Sequence, residues 1–578
     1  MSALPQTQAA DVVTLTIRIN GAELPGTVPI LGAEVVNQAN RIPYARLRIG
    51  DGDPARGDFA QSSGDWFVPG LELELLAGYH GETEPIFSGI LLRQRLVVRR
   101  GGSWLEVECR DPAFNMTLVR RNRYFEEVSD SDVAETLLGE YELTADITAT
   151  DVVHPQLLQY QATDWDFMIG RLESAGQICL VDAGTVSSVK PSLSDKPVAD
   201  IGYGVTVLEL DAELDARSQT GGVRALAWDP AEQELQEAAA ADPGWTGNGN
   251  LTASDLSDAA GREEDLLWHG GSLAADALQA WADGALLRAR LAAARGRVRF
   301  QGLAAVRPGS VLQLSRLSDR FNGKVYVTGV RHEFSDNNWT TDAEFGLSRE
   351  THAEKMATSH LPAAGLAPAV NGLQVGIVTQ LADDPAGEHR IRVKVPLAGM
   401  DEQGVWARVA TLDAGDQRGA FFRPEVDDEV VLGFFHADPA QPVVLGMLHS
   451  SAKPPPLEAT EDNHQKTYVS RSGISLLFDD DKKVVTLETP GGNRLSLSDE
   501  DQGILIEDQN GNQIVLNGDG IALASAKAVT LKASTDFKAE AVNAEIKGSA
   551  SVKAEGSSSA EVVSSGALTL KGGMVMIN

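Results

Sequence analysis

Histidines, cysteines and clustered carboxylates are the side chains that could bind a metal or attack a substrate, and here their spacing favours neither task. The ten histidines stand apart at His80, His154, His269, His332, His352, His360, His389, His436, His449 and His464, and no two lie at metal-ligand spacing with a cysteine. Cys109 and Cys179 fall in the strand-like runs WLEVECRD and QICLVD, which predicts buried free thiols rather than a disulfide or a nucleophile. DGDPARGD (51–58) and NGDG (517–520) contain oxygen ligands, but neither fits the full calcium-loop pattern, so both read as turns. The run DDDKK (479–483) reads as a solvated turn. No Gly-x-Ser-x-Gly elbow, phosphate loop or dinucleotide fingerprint occurs where strand and helix signals would support it. The expectation is a chain without catalytic, cofactor or metal residues.

The elements must therefore serve another purpose. At 578 residues and 61.5 kDa the chain has room for about three or four domains. A composition of 43% hydrophobic and 23% charged residues is that of a globular protein, and no run approaches the roughly 18 apolar residues of a membrane helix. The start, MSALPQTQAADVV, lacks the basic and apolar regions of a secretory signal, which predicts retention in the cytoplasm until some other machinery exports it. A net charge of −33 repels phosphate backbones and anionic lipid headgroups, so nucleic acid is excluded as a partner.

Residues 12–110 alternate polar and apolar positions in VTLTIRI, ARLRI, LELELLAGY, FSGILLRQRLVV and SWLEVEC, which predicts strands. Helices follow over 129–141 and 163–176; in the second, Thr163 and Asp166 have capping-box spacing and Gly176 can end it. Glu232–Asp265 is acidic and poor in large apolar residues and reads as a solvated loop, and a helix is expected over 272–296, stopped by Gly296. Strands resume to about Glu350, giving an α+β region over 1–355 and a linker over 356–372. Short strands crowd 373–450, as in an OB-type barrel, yet 6 basic against 12 acidic residues give its surface the wrong sign for an oligonucleotide. A proline-rich spacer, 451–463, leads to a repeat of about 20 residues punctuated by Gly492-Asn493 and Gly511-Asn512, the signature of a β-solenoid or β-prism.

In the final part of 464–578 alternation is nearly unbroken. Ile521, Leu523, Val529, Leu531, Ala533 and Phe537 hold odd positions, the register slips once near Val542, and from Ile546 onward the small and apolar residues hold even positions. Period two means extended strands with one inward face. An inward face of Ala, Gly, Val and Ser buries too little area to offset an ordering cost of roughly 1–2 kcal/mol per residue in one chain. Three chains wound about one axis would pair their edges and leave an interior that only small residues fit.

In this order the segments resemble the VgrG-type spike proteins of contractile injection systems, including the hub and spike of phage tails. TDWDFMIGRLESAGQICLVD resembles the hub helix and its following strand. GVWARVATLDAGDQRGAFFRPEVDDEVVLGFFHADPAQPVVLGMLH resembles the family OB-fold, with Trp406 in one strand, the turn from Pro424, and the Asp438-Pro and Gln441-Pro pairs. VYVTGVRHEFSDNNWTTDAEFGLSRE is similar to spikes of extracellular, phage-derived particles. The resemblance implies a multidomain, mainly β homotrimer: a late-control-protein-like α+β hub, an OB-fold β-barrel and an intertwined β-helical needle. It also implies partners, namely inner-tube and baseplate proteins, a PAAR-type tip protein and effector cargo, with the target membrane contacted only mechanically. The implied role is to cap the inner tube, adapt sixfold to threefold symmetry and puncture an envelope. Assembly is expected in the bacterial cytoplasm, in a particle that is released or anchored to a membrane. Some relatives carry a lysozyme or effector domain beside the needle; here neither the spacer nor the end at Asn578 is expected to hold an enzyme. The His-x-His that holds iron in some spike tips is absent near the end.

The closing residues Met574, Val575, Met576, Ile577 and Asn578 have two readings: the last turn of the needle core, or an apolar plateau on which the cap docks. The rival for the whole chain is a β-solenoid carbohydrate-binding adhesin or depolymerase, which would need an acidic pair in an aromatic groove. Phe478, Phe537 and Tyr468 are the needle's aromatics, which favours the spike.

Overall fold

The structure, a computed structural model, describes residues 12–356, 358, 361–399 and 403–577. The chain divides into two compact units, one running to Val370 with His436–Pro439, the other Asn371–Phe435 and the residues from Ala440 onward.

Period-two patterning builds the first unit. In the strand Tyr44–Gly50, Ala45, Leu47 and Ile49 are buried while Arg46 and Arg48 point to solvent. This strand lies within a 13-stranded sheet whose main path is antiparallel throughout. The join within the sheet is the strand Ile30–Gln38, which pairs Tyr44–Gly50 on one side and Gly323–Ser335 on the other, so residues far apart in sequence share one sheet. Trp339, 1% exposed, stacks on Phe334 with centroids 5.5 Å apart beside this join.

Two capped helices lie on a smaller three-stranded sheet. Ser129 and Asp132 form a reciprocal capping box at the start of Asp130–Gly139. Thr163 accepts from the Asp166 amide at the start of Asp164–Ser174, and Gly176 follows it at φ +72°. Their apolar faces, with Leu137, Leu138, Met168, Ile169 and Leu172, cover Cys179, Val181 and Val186 of the sheet.

A third helix, Ala275–Leu291, buries Leu278, Ala282 and Leu286 against a sheet made of Gly222–Asp229, Glu234–Ala239 and Glu264–His269. The expectation of a solvated loop over Glu232–Asp265 is thereby corrected: that stretch supplies a strand, the capped helix Ala253–Ala260 and the start of another strand. Its alanines misled, because Ala238 is small enough to pack beneath the helix. The helix also stops at Leu291 rather than at Gly296, which lies inside the strand Ala294–Gln301; there a Cβ would come within 2.4 Å of the Asp211 carbonyl oxygen.

Glu173 ties these parts together. Its carboxylate accepts from Asn40 Nδ2 at 2.7 Å, from the His352 amide at 2.7 Å and from the Arg288 guanidinium, and it is almost wholly buried. Alongside, a Cβ on Gly284 would meet Cα and N of Gly176 at 2.9 Å, so the helix Ala275–Leu291 meets the turn after Asp164–Ser174 at bare backbone.

In the second unit, Gln374–Gln380, Ile391–Lys394, Val405–Val409, Pro442–Met447 and Glu429–Phe434 close a five-stranded barrel around Val378, Ile391, Val393, Ala407, Val430, Leu432 and Val444. After the spacer, seven short strands run as an antiparallel meander from Gln465–Val469 to Gly520–Ala524. Asp508 holds the turn between the fifth and sixth: its carboxylate accepts from the Asn512 side chain at 2.7 Å and from the amides of Asn510 and Asn512.

Candidate functional site

Among the described residues, one face of the meander is largely open. Cross-strand register places Tyr468, Leu476, Leu487, Leu495, Ile506, Ile514 and Leu523 in one row, and Phe478, Val485, Leu497, Ile504, Leu516 and Ile521 in a second row on the same side. The row between them, on the opposite side, holds Thr467, Leu477, Thr486, Ser496, Leu505, Val515 and Ala522. Burial inverts the usual order: Thr486, Ser496 and Ser498 are shielded, whereas Leu487, Leu497, Ile504 and Ile506 are 37–45% exposed. A sheet with its hydroxyls covered and its aliphatic side chains open is unfinished as a single chain.

Beyond Ser525 the chain is extended, exposed and unpaired among the described residues. It bends at Ala526-Lys527, Ser534-Thr535, Val542-Asn543, Ser549-Ala550, Ser557-Ser558, Ser565-Gly566 and Gly573-Met574. The interval is eight residues except between Val542 and Ser549, where it is seven. Eight is even, so each turn of chain keeps the same residues on the same side; seven is odd and exchanges them, which is the register slip seen near Val542. The residue before each bend is always small: Ser525, Ala533, Ala541, Gly548, Gly556, Ser564 and Gly572. At Gly556 a Cβ would meet the Ser559 carbonyl oxygen at 2.1 Å, so the corner admits only a tight backbone path. The Ser564 hydroxyl accepts from the Gly566 amide at 3.2 Å, and Ser525 does the same for Lys527 at 3.1 Å.

Of the proposed tip residues, Met574 lies in the last bend and Val575, Met576 and Ile577 follow it, all four exposed; Asn578 lies outside the described residues, as does His360. The sequence reading expects the small residues of the tail to face inward but does not reveal the two aliphatic rows, which become visible only when strand register is known.

Both thiols and one histidine elsewhere are buried. Burial pushes the Cys109 thiol up to about 12, and that of Cys179 is raised further for the same reason. His332, buried between strands, is pushed down to about 3 by desolvation, and its Nδ1 lies 3.0 Å from the Thr341 hydroxyl. In the first acidic loop, Asp51 accepts from the amides of Gln61 and Ser62, each at 2.9 Å, and in the second Asn517 accepts from Asp519, so both behave as turns. Among the described residues no group of three His, Cys, Asp or Glu side chains could hold a metal, and no helix is long and apolar enough to cross a membrane.

Three family models match the chain in succession: the Alg8 N-terminal domain over residues 9–336, the type VI secretion system/phage-baseplate injector OB domain over 374–449, and the phage baseplate V C-terminal trimerisation domain over 484–578. Among solved structures, the chain is similar to a tail protein from Neisseria meningitidis, at 15% identity over 58% of this chain and 96% of that one, with a TM-score of 0.44. A prophage tail protein from Shewanella oneidensis is similar at 8% identity over 58% and 98%, TM-score 0.44. A chain of a Francisella PdpA–VgrG complex is similar at 9% identity over 89% and 88%, TM-score 0.39. With the Alg8 N-terminal domain spanning more than half of its length, and a type VI secretion system/phage-baseplate injector OB domain and a phage baseplate V trimerisation domain following in order, the chain belongs to the Alg8 N-terminal domain family.

Proposed function

We propose that three copies of this chain join through the open sheet face and the small-residue tail into a non-enzymatic puncturing spike, which caps the inner tube of a contractile particle and is driven through a target envelope. The observation that carries this reading is the inverted burial of the seven-stranded sheet, whose open aliphatic rows fall, from Val485 onward, within the segment matched by a trimerisation domain. Three such faces turned inward would make an apolar prism, and the eight-residue turns beyond it would interleave as a needle with side chains small enough for a shared axis. A rod of this kind resists buckling because hydrogen bonds between chains must break together, so stiffness needs no reactive group. The hub would seat the trimer on the sixfold tube, the tip would accept a small capping protein, and effectors would travel with the particle.

Light scattering on the full-length chain and on a version ending at Lys453 tests the assembly: a mass near three times 61.5 kDa that falls towards one copy on truncation is expected, and a full-length monomer would overturn the reading. Deleting residues 572–578 should leave trimers intact and abolish co-purification of the cap; unchanged capping would remove the tip from this account.

A further inference from the structure

The hub presents a second exposed apolar face, unrelated to the needle. In the sheet packed on the helix Ala275–Leu291, Val223, Ala225 and Ala227 face the helix. The alternate residues therefore face away from it: Leu226 opposite Trp268, Trp228 opposite Leu235, and Arg224 opposite Leu266. Trp268 is 64% exposed, Leu235 and Leu266 48% each, and Trp228 39%. A buried aromatic covers roughly 150–250 Å², so two open tryptophans with two leucines approach the few hundred Å² at which an apolar patch marks an interaction site. Tryptophan is also the residue type most concentrated at the energetic centre of protein interfaces.

The polar groups on this face have a definite sign. Arg224 donates to Glu237 at 2.9 Å and pairs with Glu264 at 3.1 Å, leaving one cation against two carboxylates. Glu232, Glu234 and Glu263 border the sheet with no ion pair among the described residues. Two such faces set against each other would oppose like charges, which argues against self-pairing. In the ribbon Arg120–Ser129, Arg121 is already paired with Glu140 and Asp164, and Arg123 with Glu140.

We propose that this tryptophan face is where a different protein of the assembled particle grips the hub, through a surface with an apolar centre and an arginine- or lysine-bearing rim. The proposal rests on the chain acting within such a particle. Trp228 and Trp268 form the centre of the contact, and the surplus carboxylates steer and orient the basic partner.

Hydroxyl-radical footprinting read by mass spectrometry tests it, comparing the purified full-length chain with intact particles isolated from expressing cells. Trp268 and Trp228 should oxidise readily in the purified chain and an order of magnitude more slowly in the particle, with buried Trp339 protected in both. Equal oxidation in the two samples would overturn the proposal. Protection already present in the purified trimer would also overturn it, assigning the face to a second copy. Protection of the purified chain by added lipopolysaccharide would overturn it in favour of a carbohydrate ligand. The E237K variant should reduce protection in the particle while keeping the trimer mass, and unchanged protection would refute the basic rim. A purified mass of one copy would instead refute the trimeric spike, independently of the footprint.

Discussion

Replacing Ile506 by Asp puts the unfinished sheet face to a direct test. Ile506 lies between Leu495 and Ile514 on neighbouring strands and is 44% exposed in the single chain. Full burial of such a side chain contributes about 1.5–3 kcal/mol, so covering the open part contributes about 1 kcal/mol per copy. An ionised carboxylate taken from water without a partner costs several kcal/mol more. Three copies incur this together, for about 10 kcal/mol per trimer, or roughly seven orders of magnitude in the assembly constant. Concentration-dependent light scattering should show the variant losing trimer where the parent retains it, with the barrel still folded. Asn517→Asp is the matched control: it adds the same charge on the opposite face and retains the oxygen that accepts from the Asp519 amide. If Ile506→Asp remains as trimeric as the control, the rows do not meet across chains and the prism is wrong.

Within the hub, Gly284→Ala forces a methyl against Gly176 and should lower stability by about 1–3 kcal/mol in urea unfolding, whereas Ala282→Gly on the same helix leaves that contact intact. Glu173→Gln leaves the nearly buried Arg288 without its carboxylate and should cost about 3–5 kcal/mol, seen as a lower melting temperature of the hub. Hydrogen bonds from the Asn512 side chain hold Asp508 down at about 2, below the usual value near 3.9, so the turn's contribution is fully present above that usual value and lost as the pH falls towards 2. Amide exchange at Asn510–Asn512 should accelerate across that acid window in the parent, and the window should vanish in Asp508→Asn.

Local signals carried much of the fold. Ser129, Asp132, Thr163 and Gly176 sit at helix ends because the first-turn amides and left-handed terminus demand those residue types at those places. The barrel strands were legible from apolar alternation over a short span. Pairing at a distance was not: nothing local in the sequence joins Ile30–Gln38 to Gly323–Ser335. The stretch Glu232–Asp265 was hidden for a different reason, since a sheet covered by a helix on one side only can use alanine inward and leave its large residues facing out. In the C-terminal segment, composition suggests a narrow shared axis, but no composition reveals that Leu487, Leu495 and Ile506 form one row, because that follows from register set by the turns.

The bends of the tail also make its length discrete. A whole block of eight residues can be added or removed and every downstream side chain returns to its own side, whereas a single inserted residue would turn all that follows inside out. The seven-residue step after Val542 is such a change of phase already absorbed, and the residues from Ile546 onward are written to suit it. Divergence in the reach of this needle should therefore proceed by duplication and loss of entire rungs, with that one short rung acting as a fixed marker from which the others are counted.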